Sequence, residues 1–502
     1  MKSLAKPDLG RVLLGVAYAY LFLPFILFCL GWLKIWLAIP VVALVCLCYY
    51  RMMRAGEAPA LWTPGFDKKT WLKIGAVVAV VLVWVFFSGI GRFSYQTEDH
   101  NVRNAMFRML VEQSWPIVDI NPPAEYYDGP VALVYYFGFW LPSALVGKAF
   151  GLGAGYVAQF LWAALGILLF YWLVLAYDLK KMLVWPMVLF VFFSGMDWVG
   201  ACLMKGEVIN VVTAAPHLDN WPDLFQFTSF SSQLYWVFNQ AIMGWVATML
   251  LAVQKTNHAM TPIIAFCLIT GTIPAVGLVP LCVYFVFRNW FSAHKGEKFA
   301  LWPFVRDVLT VENITGLLCG VLSYLFLGSN NAGQRFSTLF HIAGDIWWLW
   351  LLFVLCEALV LLALVAKYQW KNPLFYLIMG LFLVLPWLRL GEKADISMRG
   401  TIPALVVLYL MVVNALDRSF REKAWGLFAG LCVALLIGSA TAEVEIARSA
   451  ARTVRYYTKG DETMLDQVEW HPMELGWRDN FYGKMEGKFF FTYLMKSPGD
   501  SE

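Results

Sequence analysis

Charged residues are scarce in this chain, and neither sign dominates. Only 14% of the 502 residues are charged, against 60% that are hydrophobic, and the formal net charge is +4. A soluble domain cannot bury that much apolar surface. The cations are scattered between apolar runs and form no basic stripe with interleaved aromatics, which argues against a nucleic-acid partner. The composition therefore predicts an integral membrane protein.

Histidine and cysteine are not arranged for metal or redox chemistry. All nine cysteines fall within or at the ends of apolar runs, and none pairs with histidine at the spacing of metal ligands. We interpret them as small core residues, without a disulfide framework or a zinc site. The sequence also has no P-loop and no motif for a redox cofactor, so no cofactor is assigned with certainty.

Apolar runs that approach the ~20 residues needed to cross a bilayer recur along the chain. The run at 262–287 is interrupted by glycine and proline and can form two short helices. We therefore expect an all-α fold, a polytopic membrane protein with about 12–13 transmembrane helices. The candidate segments are 12–32, 34–50, 72–92, 131–150, 153–177, 183–203, 234–253, 262–287, 314–327, 346–366, 374–388, 401–416 and 424–441.

The basic residues indicate the orientation, because loops rich in Lys and Arg stay in the cytoplasm. Loop 93–130 is then external when counted from the N-terminus. A count from the other end disagrees within 131–203, so one segment there cannot be a simple span. A re-entrant piece at residues 139–142 or an uncounted half-helix would explain the disagreement. We expect a transmembrane domain at 1–441 and an extracytoplasmic tail at 442–502, too aromatic to be disordered, that packs on the external loops.

A carboxylate pair, Glu98 and Asp99, follows the third apolar run directly. Carboxylates at the edge of a bilayer are costly to keep there and are often functional. We expect Thr97 to cap an amphipathic helix of residues 98 to 113 that lies at the interface, with Arg103 one turn after Asp99. The alternative is that the acids only stabilise the start of this helix.

Two external arginines could hold an anion. Arg399 lies four residues after Asp395, at the outer N-terminal end of a predicted helix, where the dipole and free N–H groups also favour a phosphate. Arg335 is the cation of loop 328–345. The alternatives are an arginine that snorkels at a helix end and a solvated turn.

The loop before the seventh segment combines histidine, carboxylate, amide and aromatic groups. His217 and Asp219 lie in the loop, and Asn239 and Gln240 lie inside the apolar run that follows. Such a mixture suits a sugar, whose faces stack on rings while its hydroxyls form directional hydrogen bonds. The alternative is an interfacial aromatic belt with amide bonds between helices.

The external acidic loop, the lying helix and about a dozen spans together resemble the GT-C superfamily of membrane glycosyltransferases, in particular bacterial members. The resemblance covers most of the chain. Its motifs are Trp115 and Pro116 followed by residues 135–148, then residues 233–240, and residues 395–403.

The resemblance implies transfer of a sugar, with inversion, from a polyprenyl-phosphate donor to a glycan or lipid acceptor of the cell envelope. The reaction would take place at the extracytoplasmic face of the bacterial cytoplasmic membrane. Asp99 matches the acid that such enzymes use as base, with Glu98 as the alternative. Arg399, with Arg335 and Lys393, would hold the lipid phosphate. Some members use a divalent metal, but no ligand set here indicates one.

The remaining candidates would contact the substrates: His100, Arg103, His217, Asp219, Asn239, Gln240 and Asp395. The rival function is a transporter or flippase of a lipid-linked or anionic substrate. The two differ in geometry. An enzyme should bring Asp99 and Arg399 together in one external site, whereas a transporter should have a site near the middle of the membrane.

Overall fold

The protein is described by a computed structural model. Ten helices of the described chain are long and apolar enough to cross a membrane, or eleven if the bent pair Leu301–Val308 and Val311–Leu327 forms one span. The predicted fold class, a polytopic helical membrane protein, is confirmed, and the predicted number of 12–13 spans is higher than this count. The structure describes residues 9–54, 61–65, 67–211, 218–333, 336–391, 394–460 and 468–497.

Helices dominate the N-terminal half because a backbone in lipid must satisfy its hydrogen bonds within its own segment. A π turn, Leu175–Leu179, extends α6, and α7 and α8 together form the candidate span Trp185–Lys205. The helices are α1 (Leu9–Trp32), α2 (Ile35–Arg54), α3 (Lys68–Phe87), α4 (Asp99–Glu112), α5 (Leu141–Phe150), α6 (Leu152–Val174), α7 (Trp185–Phe192), α8 (Asp197–Lys205) and α9 (Phe230–Val253).

The C-terminal half continues in the same way. The apolar run at 262–287 is indeed divided into two helices, α10 and α11. A π turn, Leu355–Leu359, joins α14 to α15. The helices are α10 (Thr261–Leu268), α11 (Thr272–Ala293), α12 (Leu301–Val308), α13 (Val311–Leu327), α14 (Ala343–Val354), α15 (Val360–Gln369), α16 (Pro373–Val384), α17 (Asp395–Gly400), α18 (Ile402–Arg421) and α19 (Trp425–Lys459).

The helix ends define two faces of the bundle. At one end, Trp32 of α1 packs on Phe137 with ring centroids 4.6 Å apart. We call this the loop face, because it carries the long loop after α3. At the other end, Arg51 of α2 forms an ion pair of 2.5 Å with Glu312 of α13. We call it the basic face, because α6, α9 and α11 end there beside Lys and Arg side chains.

Residues 131–150 do not form a span. They begin with a short strand and end with α5, which has only ten residues and folds back on α6 through a turn at Gly151. The two helices pack closely, since a Cβ added at Gly155 would lie 3.1 Å from the Cα of Gly147. Removing this segment from the spans resolves the conflict between the two orientation counts.

Helix α9 is sharply bent at Val237, where φ is −140° and ψ is 35°. The first turns of α9 fold back along the rest of the helix, as the distance of 5.7 Å between the ring centroids of Phe230 and Trp245 shows. In a straight helix these two positions would be separated by about 22 Å. A hydrogen bond of 2.8 Å from Trp245 Nε1 to Gln233 Oε1 holds the bend. Residues 230–236 are therefore a re-entrant piece, and the continuous span starts after the bend.

Aromatic rings fill the core next to this bend. Phe190 of α7 lies 5.8 Å from Trp84 of α3 and 5.0 Å from Trp245 of α9, between ring centroids. Tyr409 of α18 joins the same group, 5.1 Å from Phe190. Edge-to-face pairs of this kind add about 0.5–1.5 kcal/mol each to the burial of the rings. The core thus ties the re-entrant piece to four helices.

The C-terminal segment packs on the first long loop. The strand β5 (Tyr482–Lys484) pairs antiparallel with β2 (Val131–Leu133), which pairs in turn with β1 (Val118–Asp119). A second small sheet pairs β3 (Phe336–Thr338) with β4 (Leu388–Leu390). Helix α19 runs through the predicted boundary at 441/442 and ends at Lys459.

Candidate functional site

The start of α4 places the acidic pair on the loop face. The helix begins at Asp99, and Glu98 is its exposed N-cap residue, without a side-chain capping bond. The Thr97 hydroxyl donates instead to the carbonyl oxygen of Tyr235, at 3.1 Å. The predicted cap by Thr97 is therefore wrong, because this side chain ties α4 to the bend of α9.

Helix α4 is almost entirely buried. It therefore differs from the expected amphipathic helix, which would expose one polar face at the membrane interface. Eleven of its fourteen residues are buried. The C-terminal segment covers it, since the N–H of Trp470 donates to the carbonyl of Asn101 at 3.1 Å. The Glu469 carboxylate bridges Arg92 and Arg108, with Arg108 Nε at 2.8 Å.

Asp99 forms an ion pair with Arg103 across one helical turn, as their spacing predicts. The distance from Arg103 Nη2 to Asp99 Oδ2 is 2.8 Å, and the side chains are 6% and 41% exposed respectively. The guanidinium also lies 5.7 Å from the ring centre of Phe238. Arg103 Nη1 is buried and has no hydrogen-bond partner within the described chain. The pair thus offers an accessible carboxylate and a buried, unused donor.

His100 has both ring nitrogens engaged. Nε2 lies 3.1 Å from the carbonyl oxygen of Tyr235 and must carry the proton, because a carbonyl can only accept. Nδ1 then accepts from Gln96 Nε2 at 3.2 Å. Burial, with the charge of Arg103, lowers the pKa of His100 to about 3, so the ring is neutral. It is occupied as a link between α4 and α9, which leaves no ring nitrogen for a substrate.

Arg399 projects from the short helix α17, directly before α18. Its guanidinium lies 3.2 Å from the Asp395 carboxylate, and Nη1 donates to the Tyr136 hydroxyl at 3.2 Å. Nε is buried without a partner in the described chain. Burial lowers the pKa of Arg399, but the charges of Asp395 and Asp99 and the two nearby tyrosines outweigh it, so the net shift is upward.

Two tyrosines connect the arginines. The Tyr135 hydroxyl donates to that of Tyr136 at 2.6 Å, and their ring centroids are 3.8 Å apart. Burial raises the pKa of Tyr135, while Arg103 and Arg399 oppose that shift, which places both guanidinium groups close to it. The structure thus brings the predicted acid and the predicted phosphate-binding arginine to one place. We call the following group the loop-face site: Asp99, Arg103, Tyr135, Tyr136, Asp395 and Arg399.

Asn239 and Gln240 follow the bend of α9 and are 0% and 1% exposed. Both atoms of the Asn239 amide and Oε1 of Gln240 lack a hydrogen-bond partner in the described chain. Leaving a buried polar group unsatisfied costs about 1–3 kcal/mol. The preceding residue, Phe238, contacts Arg103 of the loop-face site, and the unpaired amide atoms are available to a polar ligand or to water.

Asp219 is not part of the loop-face site. It is 1% exposed and lies in a second group of buried carboxylates. Burial raises the pKa of Asp219 well above its ordinary value, and the charges of Asp197 and Glu445 raise it further. In the same group, Glu357 accepts from Trp221 Nε1 at 2.9 Å.

The other acids of this group are held by hydroxyl, indole and guanidinium groups. Asp197 Oδ2 accepts from Ser194 at 2.7 Å and from Thr441 at 2.6 Å. Glu445 accepts from Trp236 at 2.9 Å and pairs with Arg448 at 2.5 Å. We call Asp197, Asp219, Glu357 and Glu445 the buried acidic group. In the part of the chain that the structure describes, no three His, Cys, Asp or Glu side chains are arranged to hold a metal ion.

Sequence reasoning gave no role to the two tyrosines, which lie within the motif at 135–148, and missed three of the buried acids. Tyr135 and Tyr136 lie in irregular chain after β2, where no periodicity marks a site. Asp197, Glu357 and Glu445 carried a usable signal, because an ionisable residue inside an apolar run is a functional candidate by default. Three predicted site residues, His217, Arg335 and Lys393, lie outside the described residues.

Comparison with known proteins assigns no family. No protein-family model, no curated protein and no solved structure matches this chain.

Proposed function

We propose that the protein is a membrane glycosyltransferase of the GT-C type that moves a sugar from a polyprenyl-phosphate donor to a cell-envelope acceptor, with inversion. The active site would be the loop-face site, on the extracytoplasmic side of the membrane. One observation carries the proposal: Asp99 and Arg399, from distant parts of the sequence, lie within electrostatic reach of each other, and Arg399 and the Arg103 partner of Asp99 both lie within reach of the Tyr135–Tyr136 pair.

Asp99 suits the role of base. Its side chain is 41% exposed, so an acceptor hydroxyl can reach it from the loop face. Arg103 holds Oδ2, which leaves Oδ1 to take the hydroxyl proton as the acceptor oxygen bonds to the anomeric carbon. The bond from that carbon to the phosphate oxygen breaks in the same step. A positioned base typically contributes ~10²–10⁴-fold to such a reaction.

Arg399 suits the role of phosphate ligand. Asp395 and Tyr136 orient its guanidinium, while Nε is left without a protein partner in the described chain. The unused Nη1 of Arg103 belongs to a second guanidinium group that also acts on Tyr135. Two fixed guanidinium groups stabilise the charge that grows on a departing polyprenyl phosphate. Arg335 and Lys393 remain proposed as further cations.

The sugar would lie against the bend of α9. The amides of Asn239 and Gln240 are buried without partners in the described chain, and directional hydrogen bonds to hydroxyl groups would satisfy them. Asp395 acts through Arg399 in this scheme, and His100 acts by fixing α4. Asp219 is withdrawn from the substrate contacts, because it lies in the buried acidic group.

A second candidate, a transporter or flippase of a lipid-linked or anionic substrate, is favoured by the buried acidic group. Asp197, Glu357 and Glu445 lie inside candidate spans and are almost fully buried. Ionisable residues at such positions are common in proton-coupled transporters. We favour the transferase over the transporter, because the loop-face site combines an exposed carboxylate, which can act as a base, with arginines that can bind a phosphate.

The experiment is an assay of the purified protein against a panel of radiolabelled polyprenyl-phosphate sugars, with cell-envelope extract as acceptor. We expect one donor to be converted to polyprenyl phosphate and a labelled product. Asp99→Asn should abolish this conversion, while Glu98→Gln, the adjacent acid, should retain it. If the protein in vesicles instead moves a labelled lipid between leaflets without chemical change, and Asp99→Asn does so equally well, the transferase proposal fails.

A further inference from the structure

A cavity of about 570 Å³ opens at the basic face, at the opposite end of the bundle from the loop-face site. It lies among the ends of α6, α9 and α11, and Leu61 and Trp62 also line it. Sites for small ligands typically enclose ≈ 300–1,000 Å³. The cavity is therefore large enough for a ligand, and the proposed transferase does not use it.

The lining of this cavity is cationic. Lys180, Lys255 and Arg288 all contribute, and none of the described residues that line it is acidic. Lys180 follows the π turn that extends α6, Lys255 lies two residues beyond the end of α9, and both are exposed. Basic pockets between transmembrane helices on the cytoplasmic side are typical sites for anionic headgroups.

Arg288 makes the cavity more favourable for an anion because it neutralises the partial negative charge at the C-terminal end of α9. The carbonyl groups at the end of α9 would repel an anion, but the Arg288 guanidinium donates to those of Ala252, at 3.1 Å, and Gln254. Its side chain is fixed by Asn289 at 3.1 Å and stacks over Phe285. The charges of the two lysines are thus left to act on a ligand.

The nearest acid does not cancel these charges. Asp178 lies within electrostatic reach of Lys180, but Asn414 donates to both of its carboxylate oxygens, at 3.1 and 3.2 Å. Arg418 and Arg421 also act on Asp178. Its charge is therefore compensated in part from the α18 side.

The remaining wall is apolar and aromatic. Leu61, Trp62, Tyr177 and Val253 line the cavity, and the carbonyl of Trp62 is held by Trp172 Nε1 at 3.2 Å. A soluble phosphate compound has no use for such a wall, whereas the glycerol and upper acyl carbons of a phospholipid would pack on it. We propose that this basic cavity binds the phosphate of an anionic phospholipid from the adjacent leaflet, with Lys180 and Lys255 as its ligands.

The proposal is tested by native mass spectrometry of the full-length protein in detergent, titrated with phosphatidylglycerol or phosphatidylcholine. Wild type should bind one molecule of phosphatidylglycerol more tightly than any further phosphatidylglycerol molecules that attach to it. It should also bind this molecule more tightly than phosphatidylcholine. The double variant Lys180→Gln/Lys255→Gln should bind it about thirtyfold more weakly, since each basic side chain near an anionic headgroup contributes about a factor of five. Both lysines are exposed, so the variant should fold.

The matched control is Lys295→Gln/Lys298→Gln, which removes two exposed cations from the loop after α11 and should bind like wild type. Equal loss in the control and in the cavity variant would overturn the site, as would unchanged binding in the cavity variant. Glycerol 3-phosphate is the soluble probe. If it binds without lipid as tightly as phosphatidylglycerol does, the ligand is a free phosphate compound and the lipid assignment fails.

Discussion

Arg399 Nη1 donates a hydrogen bond of 3.2 Å to the Tyr136 hydroxyl, which links α17 to the irregular chain after β2. The Tyr136 oxygen also accepts from Tyr135 at 2.6 Å. Because both of its lone pairs are used, the Tyr136 hydroxyl hydrogen is free to point towards a ligand. Arg399 is consequently held from two sides, by this hydroxyl and by Asp395, with its Nε facing neither.

Tyr136→Phe should weaken binding of the polyprenyl-phosphate donor, because Arg399 loses the hydroxyl that orients it. Hydrogen bonds to charged groups are worth about 1.5–3 kcal/mol, so we expect the KM for donor to rise about tenfold or more, with a smaller effect on kcat. The measurement is the donor dependence of transfer. Tyr376→Phe, which removes an exposed hydroxyl at the other face, is the control, and an unchanged KM in Tyr136→Phe would contradict the role.

The parts of the site that sequence reasoning predicted are those set by local geometry. Asp99 and Arg103 lie four residues apart, and any helix through them brings the side chains together. The meeting of Asp99 with Arg399 was expected only through the resemblance and the orientation of the loops. Local sequence patterns could not predict that Asp99 and Arg399 lie close together, since their proximity depends on how α4 and α17 pack on the bundle.

The parts that sequence reasoning missed depend on breaks in regular structure. Nothing in the residues around Val237 predicts that α9 bends there and doubles back. The extension of α19 past residue 441 was missed because charged residues end the apolar run there. Glu445 and Arg448 pair within the helix at 2.5 Å, so their charges are compatible with its continuation.

Arg399→Gln should reduce transfer strongly, and Arg399→Lys should restore only part of it. A lysine keeps the charge but loses the planar fork that binds two phosphate oxygens at once. We expect saturation with donor to require at least tenfold more substrate in the glutamine variant. The matched control is Arg455→Gln, which removes an exposed arginine from the loop-face end of α19. Equal activity of the lysine variant and wild type would argue against a bidentate contact.

Glu469→Gln should loosen the C-terminal segment from α4, because it removes the carboxylate that bridges Arg92 and Arg108. Partly buried charge pairs of this kind contribute on the order of 1–2 kcal/mol. The measurements are the thermal unfolding midpoint in detergent and the rate of proteolysis within 468–497. Glu112→Gln is the control, since Glu112 contacts Arg108 alone, at 3.2 Å.

The same bridge should make stability depend on acid pH. Burial alone would raise the pKa of Glu469, but Arg108 and Arg92 outweigh it and hold the pKa below its ordinary 4.5. A carboxyl group with a lowered folded pKa stabilises the protein above its unfolded pKa and loses that contribution as the pH falls through the folded value. The difference in thermal unfolding midpoint between wild type and Glu469→Gln should therefore be largest at pH 6 and should shrink below about pH 4.5. A difference that does not shrink at all as the pH falls below about 4.5 would exclude a charge effect.

His100 should make the protein lose stability on mild acidification. Burial and the charge of Arg103 lower the pKa of His100 from 6.5 to about 3. Between these two pH values the histidine is protonated in the unfolded chain but neutral in the folded protein. The contribution is complete above pH 6.5 and is lost at up to about 1.4 kcal/mol per pH unit between 6.5 and 3. The measurement is the unfolding midpoint from pH 7.5 to 5.

His100→Gln separates this effect from general acid sensitivity. Glutamine can still donate to the Tyr235 carbonyl, but it does not titrate, so the variant should begin less stable and lose less stability between pH 7.5 and 5 than wild type does. His341→Gln, which removes an exposed histidine, should keep the wild-type slope. Parallel pH profiles for wild type and His100→Gln would mean that the ring can take a proton in the folded protein, and the link between α4 and α9 would then not require a neutral histidine.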